Sequence, residues 1–217
     1  MIRLAVFDCD GTLSDGQAAI CAAMAAGFAE AGLPAPDPHA VRRIVGLSLP
    51  HAVARLAPDA APAAQEQAVG AYKRAFFAAR QQGTLREPLY DGIAALLGRL
   101  HRAGWMLGVA TGKSDRGLEG CLVSHGLFDL FVTLQTADRH PSKPHPAMLE
   151  AAMAEAGAAP ADTVVIGDTV YDVSMARAAG CRAIGVAWGY HASDELLAAG
   201  AEAVAETPEQ LGEMLDG

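Results

Sequence analysis

Four short segments of this 217-residue chain carry residue types that could meet a phosphate group and a hard metal ion. The first is Asp8-Cys9-Asp10-Gly11-Thr12, at the end of an apolar run. Carboxylates two residues apart on a chain that continues as a strand project from one face, and acids converging on one point repel unless one holds a proton or a cation lies between them. A metal ion resolves that conflict. The second is Val109-Ala110-Thr111-Gly112-Lys113. A hydroxyl and free backbone N–H groups at a strand-to-helix turn suit phosphate oxygens, which need donors as charge shifts during transfer. Alone, Thr111 would more often cap a helix, and Lys113 reads as a solvated surface lysine. The third is Ser142-Lys143-Pro144-His145-Pro146. Its two prolines stiffen the chain around Lys143, which makes an effective fixed positive charge; His140 and His145 read as ordinary loop histidines. The fourth, Val164 to Asp172, ends a strand-like run at Asp168 and places Asp172 one helical turn later. Hard oxygen ligands suit Mg²⁺, which keeps waters and takes only one or two carboxylates directly. Asp168 is then the direct ligand and Asp172 orients the coordination sphere from outside it, although either acid alone could be a helix-capping or first-turn residue.

These segments need elements to hold them. Ile2–Phe7, Met106–Ala110, Thr163–Ile166 and Arg182–Val186 are continuous apolar runs of the kind buried in parallel sheets. Helical patterns separate them at Gly92–Ala103, Arg116–His125, Pro146–Ala156 and Tyr171–Ala179. The alternation predicts an α/β fold with a doubly wound parallel sheet, whose ligands bind outside the carboxyl ends of the strands. Residues 16–82 break the alternation, being alanine-rich and helical in pattern, with Pro34, Pro36, Pro38, Pro50, Pro58 and Pro62 marking helix starts or ends. They are expected to form an all-helical insertion in a core made of 1–15 and 83–217. The tail from Ser193 should add one or two short helices around a strand-like Ala203-Val204-Ala205.

Composition narrows the function classes. A net charge of -9 gives no footprint for a polyanion, so a nucleic-acid partner is not expected. No apolar run approaches the ~20 residues that span a bilayer. Cys9, Cys21, Cys121 and Cys181 lack metal-ligand spacing and read as reduced thiols. With no leader-like layout at the N-terminus, a cytoplasmic protein is expected.

The four segments, in this order, resemble the phosphatases of the haloacid dehalogenase-like superfamily, whose signature DxDGT matches Asp8 to Thr12. The resemblance implies a Rossmann-like core and a mobile helical cap inserted after the first strand. It makes Asp8 a nucleophile that becomes an aspartyl phosphate, and Asp10 the acid and base, with its main-chain carbonyl on magnesium. Thr111 and Gly112 with Lys143 would bind phosphate; Asp8, Asp10 and Asp168 would hold Mg²⁺, and Asp172 would support them. Asp15, Arg43 and Gly46 are candidates on the cap side. The pattern is similar to phosphoglycolate phosphatases, including Ala187-Trp188-Gly189-Tyr190-His191, which implies a small phosphate ester as substrate and a monomer or homodimer. The alternative is a sugar-phosphate mutase of the beta-phosphoglucomutase type. That group carries a basic residue shortly after the cap glycine, where this chain has Leu47-Ser48-Leu49-Pro50. Asp10 argues against dehalogenase chemistry, and Lys73 is a poor match for an imine-forming cap lysine.

Overall fold

The computed structural model describes residues 2–216. Among them, six strands form one sheet: β1 (Leu4–Phe7), β2 (Met106–Thr111), β3 (Phe131–Thr136), β4 (Thr163–Gly167), β5 (Arg182–Val186) and β6 (Ala203–Ala205). All neighbours are parallel, in the order β3-β2-β1-β4-β5-β6. Strand order reverses at β1, which lies between β2 and β4, so the ligand crevice of a doubly wound sheet falls at its carboxyl end. The α/β expectation is met.

Both faces of the sheet are covered, which is why β1 is apolar at every position. Ala5 and Phe7 point toward α5 (Ile93–Arg102), α6 (Asp115–Ser124) and α10 (Pro208–Asp216), packing with Leu97, Leu122 and Leu211. Leu4 and Val6 point the other way, toward α7 (Ala147–Ala156), α8 (Val170–Ala178) and α9 (Ser193–Ala199). Leu97 is fully buried, so truncating it to Ala should cost about 2–5 kcal/mol.

β3 has no counterpart among the expected strands. It is an edge strand: Val132 is exposed, while Thr133 and Gln135 are buried and bond Glu155. Buried polar residues on one face and an apolar residue facing outward hide the usual strand pattern.

Between β1 and β2, four helices precede α5: α1 (Gln17–Glu30), α2 (Pro38–Arg43), α3 (Leu49–Leu56) and α4 (Pro62–Gln81). Pro38, Pro50 and Pro62 each occupy a first-turn position, where a missing N–H costs nothing. Helices α1 and α4 pack closely because Gly27 has no side chain; a Cβ there would stand 2.7 Å from the Ala68 carbonyl oxygen. Ile20, Met24, Phe28 and Val53 form a separate small core. The chain enters and leaves these helices side by side, through an antiparallel bridge between Ser14 and Leu89.

Candidate active site

The four segments converge at the carboxyl end of β1. Asp8 follows β1 directly, and its N–H bonds the Ile166 carbonyl of β4. Lys143 reaches it from the loop before α7: its Nζ lies 2.8 Å from Asp8 Oδ1 and 2.6 Å from Asp172 Oδ1. The lysine is 2% exposed, so its charge is confined to these carboxylates. Asp168, at the end of β4, accepts from Thr12 Oγ1 at 2.7 Å and from the Tyr190 N–H at 3.0 Å. Asp172 is the third residue of α8 and accepts from the N–H and hydroxyl of Thr169 in a capping box. It therefore caps a helix and holds Lys143 at once. Gly11 is required here twice over: φ is +93°, and a Cβ would stand 2.1 Å from Asp168 Oδ2.

Asp10 has its own lysine. Lys113 Nζ lies 3.0 Å from Asp10 Oδ1 and 2.5 Å from Glu87 Oε1, and Glu87 is paired in turn with Arg80 at the end of α4. The Lys113 side chain is 7% exposed. This corrects the reading of Lys113 as a solvated surface lysine: two buried carboxylates draw it inward. Helix α6 is capped by Ser114, which accepts from the Gly117 N–H, so the Thr111 hydroxyl is not used as a cap.

Electrostatics test whether a cation fits. One carboxylate oxygen from each of Asp8, Asp168 and Asp172 lies within 4.8 Å of the others. Burial pushes the Asp8 carboxyl up to about 7 against the pull of Lys143. Burial, with Asp8 and Asp172 alongside, pushes Asp168 well above the ordinary carboxylate range. Burial also raises Asp10, with Lys113 pulling the other way. For Lys143, burial pulls the ammonium down, but Asp172 and Asp8 outweigh it and hold it above its usual value. Glu87 is offset by Arg80. With all four ionised, Asp8, Asp10, Asp168 and Asp172 face only Lys113 and Lys143 among the described residues, which leaves two negative charges over. Both Asp8 oxygens also lack a well-directed hydrogen-bond donor. A divalent, oxygen-seeking cation beside Asp8 and Asp168 matches this donor set. Asp172, the third acid of the cluster, has its Oδ1 on the buried Lys143 ammonium and its Oδ2 on Thr169.

The sequence profile of the haloacid dehalogenase-like hydrolases matches residues 5–186. The chain belongs to that family. It is 35% identical over 211 residues to "Probable phosphatase IndB" of Dickeya dadantii, covering 95% of this chain and 90% of the relative. It is 28% identical over 218 residues to a phosphoglycolate phosphatase of Vibrio vulnificus, covering 97% and 94%. A solved structure described as a predicted phosphatase from Clostridium acetobutylicum superposes with a TM-score of 0.88 at 25% identity, covering 99% of this chain and 98% of that one.

In this haloacid dehalogenase-like hydrolase, the floor residues Asp8, Asp10, Thr111, Gly112 and Lys113 open into a cavity of about 380 Å³ roofed by α1, α4 and the segment from Ile44 to Pro50. The roof touches the floor at Gly112, where a Cβ would stand 2.4 Å from the Leu47 carbonyl oxygen, and the Ser48 N–H bonds Ser142 Oγ at 2.8 Å. The cap-side candidates divide. Gly46 lines the cavity, with φ +99°. Arg43 does not, because both its terminal nitrogens bond Glu195 of α9, at 2.7 and 2.6 Å, tying α2 to the core. Asp15 is exposed and accepts from the Gln17 N–H. His140 bonds Gln135 and His145 bonds the Ala147 N–H, both away from the floor. Ala187 to His191 buttresses the site: Trp188 Nε1–H donates to the Thr12 carbonyl at 3.0 Å, and the Tyr190 N–H holds Asp168.

Sequence reasoning missed Glu87 and the aromatic wall of Tyr72 and Phe76. Glu87 precedes a proline in an irregular linker with no recognisable spacing to Lys113. Tyr72 and Phe76 are four residues apart on one helix face, a signal that ordinary core packing shares.

Proposed function

We propose that this chain is a phosphatase that uses Mg²⁺ to hydrolyse the phosphate monoester of a small metabolite, with residues 16–82 closing as a cap over the core of 1–15 and 83–217. The observation that carries the reading is Lys143, buried between Asp8 and Asp172, with Asp8 and Asp10 both on the floor of the cavity. The phosphatase names of its relatives agree with it.

Asp8 attacks phosphorus, and the bond from phosphorus to the ester oxygen breaks as an aspartyl phosphate forms. Asp10 gives its proton to the departing oxygen. In the second half, water attacks the phosphorus of the aspartyl phosphate, its proton passes to Asp10, and the bond from phosphorus to the Asp8 oxygen breaks, restoring the carboxylate and releasing inorganic phosphate. Thr111 and the Gly112 turn would donate to the phosphoryl oxygens, while Lys143 holds Asp8 in place and offsets charge on the PO₃ unit. Asp8, Asp168 and the main-chain carbonyl of Asp10 would hold the magnesium ion, which when bound offsets charge on Asp8 and the phosphoryl group. Lys113 holds Asp10 at the floor of the cavity.

A mutase would need a cation to fix a second phosphate. Leu47, Ser48, Leu49 and Pro50, which line the cavity after Gly46, supply none, so hydrolysis is the reading we keep. The test is hydrolysis of a generic aryl phosphate with Mg²⁺ and with a chelator. Turnover should need the metal and disappear in Asp8→Asn; retained activity in that variant would remove Asp8 from its role.

A further inference from the structure

The cavity above the floor differs in character from the floor itself. At about 380 Å³ it falls within the range of roughly 300–1,000 Å³ that holds whole organic ligands, and a phosphoryl group occupies only its bottom. The walls above Asp10 are Ile20 and Met24 of α1, Leu47 of the connecting segment, Leu49 at the start of α3, and Tyr72 and Phe76 of α4. The two rings are nearly parallel, 5.7 Å apart between centroids. Their wall continues the apolar side of the helical insertion into the site.

Two of the four cations lining this space are already committed to carboxylates. Lys113 is held by Asp10 and Glu87 and lies 5.5 Å from the centroid of the Phe76 ring. Arg80 is held by Glu87 and by the Arg116 carbonyl. The remaining lining cations, Lys73 and Arg116, occupy exposed positions, and the Arg116 guanidinium lies over the Phe77 ring at 3.8 Å. A carboxylate one carbon from the ester oxygen would meet Asp10 and apolar side chains, and the ammonium at Asp10, Lys113, is already paired with two carboxylates. An apolar group would displace water from a surface that gains by losing it.

We propose that the substrate's leaving group is an uncharged alcohol carrying an aromatic or similarly flat apolar group, seated against Tyr72 and Phe76. The inference rests on the phosphatase reading and narrows its substrate class.

Three alkyl monoesters test it on the full chain with Mg²⁺: phenethyl phosphate, ethyl phosphate and phosphoglycolate. The first two share a leaving-alcohol type and differ in the phenyl ring. The expected kcat/KM for phenethyl phosphate exceeds that for ethyl phosphate about 30-fold, from roughly 80 Å² of ring surface leaving water, and exceeds that for phosphoglycolate by at least as much. Leu49→Lys, which brings an ammonium to the half-buried wall, should lower the phenethyl-to-phosphoglycolate ratio about 10-fold or more, read as a ratio within one variant. If phosphoglycolate equals or outruns phenethyl phosphate in the unaltered protein, the apolar assignment is overturned and the phosphatase reading stands. If none of the three turns over while a generic aryl phosphate does, the apolar assignment falls and the phosphatase reading stands; if the aryl phosphate is inert as well, both fall.

Discussion

Replacing Lys113 by Met separates a buried charge from a surface one. The ammonium sits 3.0 Å from Asp10 and 2.5 Å from Glu87, with all three side chains close to fully buried. Removing it leaves two carboxylates facing a methionine, and breaking a buried pair in this way costs about 3–5 kcal/mol. Arg80 still offsets Glu87, and Asp10, already raised by burial, can take up a proton, so the lower end of that range, about 3 kcal/mol, is expected. For a chain of this size about 2–4 °C of Tm accompanies each kcal/mol, giving a fall of roughly 6–12 °C. A solvated lysine would change stability by no more than about 0.5 kcal/mol. Differential scanning calorimetry distinguishes the two, and Lys113→Met combined with Glu87→Gln should recover at least about 1 kcal/mol because the two sites touch. A Tm within about 2 °C of the unaltered protein, or a double variant with no recovery, would refute the argument.

Two further outcomes are expected. Gly112→Ala places a Cβ against the Leu47 carbonyl oxygen and should push the roof off the floor; steady-state kinetics should show kcat/KM reduced by at least about 10-fold, since a misplacement near 1 Å can cost on the order of 10²-fold. His191 is buried and its pKa is lowered, chiefly by burial. Its Nδ1 accepts from the Val170 N–H, so Nε2 carries the proton and donates to the Arg43 carbonyl. The unfolded chain takes up a proton near pH ~6.5 while the folded one resists it, so stability is present above that value and is lost as pH falls through it. Urea unfolding across that range should show the loss, and His191→Gln should flatten it; an unchanged slope in the variant would exclude His191 as its source.

The parts of the site visible in the sequence were those at strand ends. Asp8, Thr111 and Asp168 each end a continuous apolar run in a parallel sheet, where topology sends every carboxyl end to one edge. Their convergence follows from strand order. Lys143 was legible through the prolines around it, and its burial between Asp8 and Asp172 is the packing consequence. Lys113 was misread because its partner Glu87 lies 26 positions upstream in an irregular linker, and burial of a lone lysine depends on a carboxylate that spacing does not reveal. Arg43, read as a cap-side candidate, aims at Glu195 of α9, an ion pair between α2 and α9 that no spacing in the sequence reveals. The β3 strand escaped notice because its buried Thr133 and Gln135 are satisfied by Glu155 from α7, a contact visible only in three dimensions.

The role of Asp8 is tested most directly by trapping the enzyme during turnover. Quenching a Mg²⁺-dependent reaction with borohydride reduces an aspartyl phosphate to homoserine, and peptide mass spectrometry then reads position 8. Homoserine at position 8, dependent on added ester and absent when the ester is withheld, is the expected result; turnover with unmodified Asp8, or with the label on another residue, would contradict it.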